Sequence, residues 1–316
     1  MKLIADSGST KTDWSLMDEN GKVVATCKSQ GLNPYHLSEG EILRVLQEEV
    51  KSPLLVQLSG ASFCKERRDV GTIENLSVYF YGSGVTDAMI PKMEKLLRQA
   101  FNVSETHAAS DMLGAARALL GQESGIAVIL GTGSNSCLYD GNKIVKGVPP
   151  LGYILGDEGS GTAIGKAFFR LVFRNPQALS LREKFMEWSG MDYAAVIDRI
   201  YRQALANTYL ASVSTFVGEQ LAELKKKSQE DSVEFQLLSD VVKEVYRDFC
   251  EHILAYYVPL SDAASSFETK MVGFVGSIAY YFQDYIASAL RENGFVVGKV
   301  LRSPMEGLVK YHQCVY

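Results

Sequence analysis

One pattern occurs twice in this chain and limits its folds more than any other feature. It is a strand, a hairpin rich in glycine and hydroxyl residues, a second strand, a turn and a third strand. The first copy begins with the apolar run Leu3-Ile4-Ala5 and the turn Asp6-Ser7-Gly8-Ser9-Thr10-Lys11. Thr12, Trp14 and Leu16 then alternate with Asp13, Ser15 and Met17, the two-residue period of a strand. Asp18-Glu19-Asn20-Gly21 is turn chemistry, and Lys22 to Cys27 reads as a third strand. The second copy runs through Ile126 to Leu130, Gly131-Thr132-Gly133-Ser134-Asn135-Ser136, Cys137-Leu138-Tyr139, Asp140-Gly141 and Lys143 to Val145. Repetition of one supersecondary unit predicts two similar domains facing each other.

The strand that follows each hairpin limits the chemistry. A P-loop needs glycine immediately before its lysine and a helix after it; here Thr10 precedes Lys11 and a strand follows. A dinucleotide fingerprint also needs a helix. What remains is a hairpin whose backbone N–H groups and small hydroxyls can wrap a phosphate chain. Gly8, Ser9, Thr10 and Lys11 form the first such grip, and Gly131, Thr132, Gly133 and Ser134 the second. Asp6 is placed to hold Mg²⁺ through water, because that ion keeps much of its hydration. Either hairpin alone reads equally well as an ordinary tight turn. Two of them, one per domain, would clamp one nucleotide.

A chain of 316 residues is long enough for two domains, and a net charge of −5 without a basic stripe argues against a nucleic-acid partner. The patch Lys225-Lys226-Lys227, near several acids, reads as a solvated face. No long apolar segment follows Met1, and the longest apolar run, Met271 to Phe282, is short of the roughly 20 residues that span a bilayer. Cys27, Cys64, Cys137, Cys250 and Cys314 are scattered and form no CxxC pair. The expectation is a reduced, cytoplasmic protein with no membrane partner and no zinc or iron–sulfur site. The isolated histidines His36, His107, His252 and His312 read as structural rather than catalytic.

Five further places offer chemistry, each beside a plainer reading. Asn33, before Pro34, suits either a substrate hydrogen bond or a turn. Gly82-Ser83-Gly84 ends a strand, where a ligand can approach the backbone, or is a simple strand-to-helix turn. Asp111 follows a short strand and precedes an alanine-rich helix, so it is an N-cap, an acid at a strand's carboxyl end, or both. Asp157 or Glu158, in a glycine-rich loop after Pro149-Pro150-Leu151, suits sugar hydroxyls or a helix dipole. Gly276 and Ser277 end a strand and open a helix, which fits adenosine or an ordinary turn. Residues 183 to 258 read as helices without chemistry. Residues 52 to 76 are the least legible, with Leu54 to Leu58 a candidate strand and Lys65 to Asp69 surface.

In this order, the Asp6–Thr12 and Gly131–Ser136 motifs, the segment Leu155-Gly156-Asp157-Glu158-Gly159-Ser160 and the segment Val275-Gly276-Ser277 resemble the superfamily of sugar kinases, actin and hexokinase. More narrowly, they resemble the N-acetylglucosamine kinase and BadF/BadG/BcrA/BcrD ATPase family, over most of the chain. The resemblance implies an α/β fold of two ribonuclease H-like (actin-like ATPase) domains with a nucleotide cleft between them. The expected boundaries are 1–109 and 110–302, with a closing helix, 303–316, packing back on the first domain. It implies ATP and Mg²⁺ as cofactors and an amino sugar as substrate, phosphorylated on a hydroxyl, the 6-hydroxyl by expectation. Asp111 is the implied catalytic base. Asn33, Ser83, Gly84 and Asp157 are the implied substrate contacts, and Gly276 and Ser277 bind adenosine; a homodimer is compatible. The sequence departs from the family in three places. Ser7 and Ser9 stand where glycine is usual, Pro149-Pro150-Leu151 stands where the N-acetylglucosamine kinases carry tryptophan, and 52–76 has no counterpart. An ATPase activator of a partner enzyme, or a sugar- or nucleotide-binding protein without catalysis, is the alternative.

Overall fold

The computed structural model describes residues 1–8, 10–60, 75–258 and 271–314. Ser9, Cys64 and the Lys65–Asp69 segment lie outside them. The chain divides into two compact units: Met1–Glu123 with Gly141–Lys143 and Ser303–Tyr316, and Ser124–Asp140 with Ile144–Arg302.

The first unit is built on a five-stranded sheet in the order β3-β2-β1-β4-β5. Its strands are β1 (Lys2–Ser7), β2 (Lys11–Met17), β3 (Val23–Gln30), β4 (Ser77–Gly82) and β5 (Thr106–Ser110). β1 and β2, and β2 and β3, pair antiparallel; β1, β4 and β5 run parallel. Its helices are α1 (Glu39–Val45), α2 (Ser52–Gly60), α3 (Ile90–Phe101) and α4 (Asp111–Leu120). A π-helical stretch, Leu46–Lys51, joins the first two. Ser38 and Glu41 cap α1 reciprocally, as their spacing predicts. Trp14, Phe80, Phe101, Leu96 and Leu97 fill the core between this layer and the sheet.

Two expectations change here. Leu54–Leu58 belongs to helix α2, not to a strand; Leu54 is buried while Val56 is exposed, and a local apolar run cannot distinguish these periods. In β2, Ser15 and Met17 are buried along with Trp14 and Leu16. The alternation in sequence implies one wet face, but the last helix, α13 (Met305–Cys314), packs on β1, β2 and α4 and covers it.

The second unit repeats the topology with β6 (Ser124–Leu130), β7 (Ser134–Asp140), β8 (Ile144–Gly147), β9 (Met271–Val275) and β10 (Val296–Leu301), in the order β10-β9-β6-β7-β8. β6, β7 and β8 pair antiparallel, while β6, β9 and β10 run parallel. Helices α5 (Gly152–Leu155), α6 (Gly161–Arg174), α7 (Leu179–Ser189), α8 (Tyr193–Tyr201), α9 (Ala206–Lys226), α10 (Val233–His252), α11 (Ser277–Tyr281) and α12 (Gln283–Glu292) complete it. Phe168, Phe185, Phe216, Tyr246 and Phe274 dominate its core. The architecture is therefore two ribonuclease H-like, actin-like ATPase units. The division falls at Glu123/Ser124 rather than at 109/110, because α4 packs on β1, β4 and β5 of the first sheet.

Candidate active site

In the first unit, register brings three strand ends together. Ser7 pairs with Gly82, and Gly82 with Ser110, so β1, β4 and β5 end side by side. Gly8, Ser83 and Asp111 are the next residues along each strand. Ligands of open α/β sheets sit beyond such carboxyl ends.

The first hairpin carries an electrostatic load. Asp6 lies opposite Asp13 in the antiparallel β1–β2 pair, so both carboxylates share one face of the sheet. Burial, with the charges of Asp13 and Asp111 added and Lys11 pulling the other way, pushes the Asp6 carboxyl up from 3.8 to about 7. Burial also raises Asp111, opposed by the backbone N–H groups of Met112 and of Asp111 itself. Asp6 and Asp111 thus stand where their charges are costly, with Asp13 beside Asp6, an arrangement that suits a divalent cation. Their ligand atoms do not all lie within 4.8 Å of one another; among the described residues only the exposed Asp248, Glu251 and His252 do. The arrangement therefore fits an ion held through its water by Asp6, not a cage of direct ligands.

Asp111 is the first residue of α4 rather than its cap. Ser110 caps the helix by accepting from the Leu113 N–H at 3.2 Å, and Asp111 Oδ1 accepts from Met112 N–H at 2.8 Å. Capping by its neighbour frees the Asp111 carboxyl from the cap role.

Ser7, which departs from the family's glycine, is a bolt. It is 1% exposed, its hydroxyl lies 2.8 Å from that of Thr12, and it accepts from Leu32 N–H at 3.0 Å. Its carbonyl accepts from Ser83 N–H at 2.8 Å. One residue thus joins the hairpin, the loop carrying Asn33 and the Ser83-Gly84 turn. Asn33 Oδ1 accepts from Tyr35 N–H at 2.9 Å, so its turn function is real. Its side chain also lies against Gly84, where a Cβ would come within 2.4 Å of Asn33 Oδ1. Asn33, Ser83 and Gly84, separated in sequence, form one surface.

In the second unit, the hairpin Gly131-Thr132-Gly133-Ser134 is held by the first residues of α6 and by the loop before it. Gly131 and Thr132 carbonyls accept from the N–H groups of Gly161 and Thr162 at 2.9 and 3.2 Å. Asp157, with a left-handed backbone (φ 62°), sets its carboxylate against Gly133 and accepts from Ser134 N–H at 3.2 Å. Burial raises the Asp157 carboxyl; Ser134 N–H and Lys166 oppose the rise. Not every hairpin amide faces outward: Gly8 N–H donates to the Lys11 carbonyl and Gly131 N–H to that of Gly133, at 2.9 and 3.0 Å. Lys11 pairs with Asp13 at 2.9 Å, and Thr10 is exposed. Gly8 and Gly131 do keep open Cα faces: an added Cβ would meet nothing closer than 3.7 Å at Gly8 and nothing within 4 Å at Gly131.

A cavity of about 720 Å³ opens beside this hairpin, lined by Gly131, Thr132, Ser277, Thr215, Glu219 and Tyr281, among others. Gly276, next to the lining residue Ser277, lets β9 turn close to β6: with φ 125°, a Cβ there would lie 2.1 Å from the Leu130 carbonyl oxygen. Gly276→Ala is expected to destabilise the second unit by about 2 kcal/mol or more, read as a lower melting temperature. An unchanged melting temperature would mean the backbone relaxes freely at this point. The wall of the cavity formed by α9 is the part sequence reasoning missed. Its signal was available: Ala211, Thr215, Gly218 and Ala222 recur at helical spacing as a small-residue face, with Glu219 the charged member of the lining. A second cavity, of about 320 Å³, is lined by Ser134, Asn135, Asp157, Glu158, Pro150 and Leu151, among others.

The model of the BadF/BadG/BcrA/BcrD ATPase family matches residues 5–279. The solved "Putative N-acetylglucosamine Kinase" of Porphyromonas gingivalis is 35% identical, with a TM-score of 0.81 over 99% of both chains. A second protein of that description, from Chromobacterium violaceum, is 16% identical with a TM-score of 0.63 over 98% of both chains. A ROK family glucokinase from Streptomyces griseus, solved with glucose and AMPPNP, is 16% identical with a TM-score of 0.50, over 98% of this chain and 97% of that one. The last two likenesses concern the fold alone.

Proposed function

The chain belongs to the BadF/BadG/BcrA/BcrD ATPase family, and from that premise we propose that it is an ATP-dependent kinase for an amino sugar, N-acetylglucosamine or a near relative, acting on the 6-hydroxyl. The observation that carries this reading is the convergence, in the first unit, of Asp111 with Asp6 beside the Asn33–Ser83–Gly84 surface. The description of the Porphyromonas gingivalis relative, at 35% identity over nearly the whole chain, supports it.

In this reading the second unit holds the nucleotide. Adenosine takes the larger cavity against Gly276 and Ser277, and Glu219 accepts from a ribose hydroxyl. Gly131, Thr132, Gly133 and Ser134 would grip the phosphates, and Gly8, Ser9, Thr10 and Lys11 are the counterpart grip expected of the first hairpin. Asn33, Ser83, Gly84 and Asp157 would orient the sugar, and Asp111 accepts the hydroxyl proton as that oxygen attacks the γ-phosphorus and the bond from the γ-phosphorus to the β,γ-bridging oxygen breaks, leaving ADP. Mg²⁺, when bound through the water shell that Asp6 holds, supplies neutralising charge to the phosphates. Phosphoryl transfer is chiefly positioning and charge stabilisation, so the chain's contribution is to orient these groups and exclude water. The smaller cavity suits the substituent that tells one amino sugar from another, with Leu151 as its variable wall.

The test is ADP release from Mg·ATP across amino sugars and plain hexoses. Sugar-dependent turnover supports the kinase; hydrolysis indifferent to every sugar overturns it in favour of an ATPase activator. Leu151→Trp should narrow the smaller cavity and shift kcat/KM toward the sugar with the smaller substituent by about tenfold, the usual worth of one apolar pocket contact. Unaltered selectivity would remove Leu151 from the substrate pocket.

A further inference from the structure

At the other end of α4 from Asp111 lies a polar cluster that the reaction does not touch. Arg117 donates to the Tyr81 hydroxyl at 2.9 Å, and that hydroxyl pairs with Nε2 of His312, in α13, at 2.9 Å. Tyr81 is 2% exposed and His312 4%. The Arg117 guanidinium also stands over the rings of Tyr81 and Tyr311, at 5.7 and 5.2 Å from their centres. Lys2 Nζ donates to the His312 carbonyl at 2.8 Å and ties α13 to β1.

A guanidinium can only donate, so Arg117 takes a lone pair of the Tyr81 oxygen; with the imidazole proton on Nδ1, Nε2 accepts the hydroxyl hydrogen. Burial, with the charges of Lys2, Arg117 and His107 behind it, holds the imidazole down at about 3, and burial pushes the Tyr81 phenol up to about 12. Neither end changes protonation across the range in which an enzyme works.

Two glycines let the layers approach this closely. A Cβ on Gly114 would fall 2.8 Å from the Cβ of Tyr81, and one on Gly307 would fall 2.4 Å from the Ala118 carbonyl oxygen. α4 therefore lies between β4 and α13 with its backbone pressed on both. Tyr81 also stands directly beside Asp6 in the β1–β4 register. The bridge thus joins the strand next to the one carrying Asp6 to the helix that begins with Asp111.

We propose that Tyr81, Arg117 and His312 are positioning residues: bridged together, and with Gly307 seated on Ala118, they let α13 fix α4 and so hold the Asp111 carboxylate in place for the transfer. The inference rests on Asp111 acting as the base. It differs from ordinary core packing in what it predicts. Packing alone would lower stability and leave the folded molecules fully active, whereas positioning alters turnover in molecules that remain folded.

The test compares His312→Leu, which keeps bulk but removes the acceptor, with His312→Gln, which restores an acceptor. At a temperature where each is folded by circular dichroism, His312→Leu should lower kcat about tenfold or more with KM for ATP unchanged, since small misplacements of reacting groups cost that much or more. His312→Gln should recover part of the loss. Amide exchange at Met112 and Leu113, whose N–H groups bond to Asp111 and Ser110, should accelerate in His312→Leu. Tyr81→Phe, which keeps the ring on Gly114 and deletes the bridging hydroxyl, is the second variant should His312→Leu not fold, and the same results are expected. Parental kcat together with parental exchange at Met112 in either folded variant overturns the inference. Asp111→Asn, measured alongside, separates the two readings. If that variant keeps its turnover, the base assignment fails; if it is inactive while the bridge variants match the parent, only the positioning inference fails. Should no sugar support turnover, the exchange rates alone decide whether the bridge holds the Asp111 end of α4.

Discussion

Asp111→Asn is expected to bind nucleotide as the parent does and to lose turnover by about 10²–10⁴-fold, the usual contribution of a well-placed base. The substitution keeps the size of the side chain and its acceptor for Met112 N–H, and the cap of α4 belongs to Ser110, so the fold should be untouched. What is lost is a carboxylate able to take the proton of the attacking hydroxyl. Burial raises the Asp111 carboxyl. The sign follows: the base works only when ionised, so kcat should rise with pH through a pKa above the ordinary carboxylate range, and the variant should lack that limb. Steady-state kinetics over pH, with nucleotide affinity measured separately, checks both points. Parental turnover in the variant would remove Asp111 from the chemistry.

Asp6→Asn should do two opposite things: abolish Mg²⁺-dependent turnover and stabilise the metal-free protein. The Asp6 carboxyl stands at about 7 in the folded chain against an ordinary 3.8. Below pH 4 it is protonated in folded and unfolded chains alike and contributes nothing. Between about 4 and 7 the unfolded chain ionises first, so stability falls as pH rises. Above about 7 the full penalty is present, with a ceiling of about 4 kcal/mol at 1.36 kcal/mol per unit. An uncharged amide escapes that penalty. Melting temperatures in chelator should therefore be higher for Asp6→Asn at pH 8 and equal to the parent near pH 4. Added Mg²⁺ should raise the parent's melting temperature and leave the variant's unmoved. A variant less stable than the parent at pH 8 would mean that the Asp6 charge is not a strain on the fold. The energetic logic is common to metal-binding acids: burial, with the charges of Asp13 and Asp111 added to it, makes an ionised Asp6 costly, and a bound cation would relieve that cost.

Sequence alone determined much of this protein. Hydrophobic period and turn chemistry marked the duplicated hairpin unit, and with it two sheets of matching strand order. Local rules also gave the Ser38–Glu41 cap and the strand-to-glycine turns at Gly82 and Gly276, because each depends on residues within a few positions of one another. Tertiary structure alone decided the rest. Nothing local in Leu54–Leu58 distinguishes helix from strand, and nothing in the alternation of β2 announces that α13 will bury its second face. The unit boundary moved to Glu123 because α4 belongs to the sheet it packs on, not to the hairpin it precedes. From sequence alone Ser7 is only a departure from glycine; in the fold its hydroxyl accepts from Leu32 N–H and faces Thr12. The α9 wall of the larger cavity and the Arg117–Tyr81–His312 bridge join residues far apart in the chain. Such contacts are set by which faces meet once both sheets have formed, and pairings at that range leave no periodic trace in a single sequence.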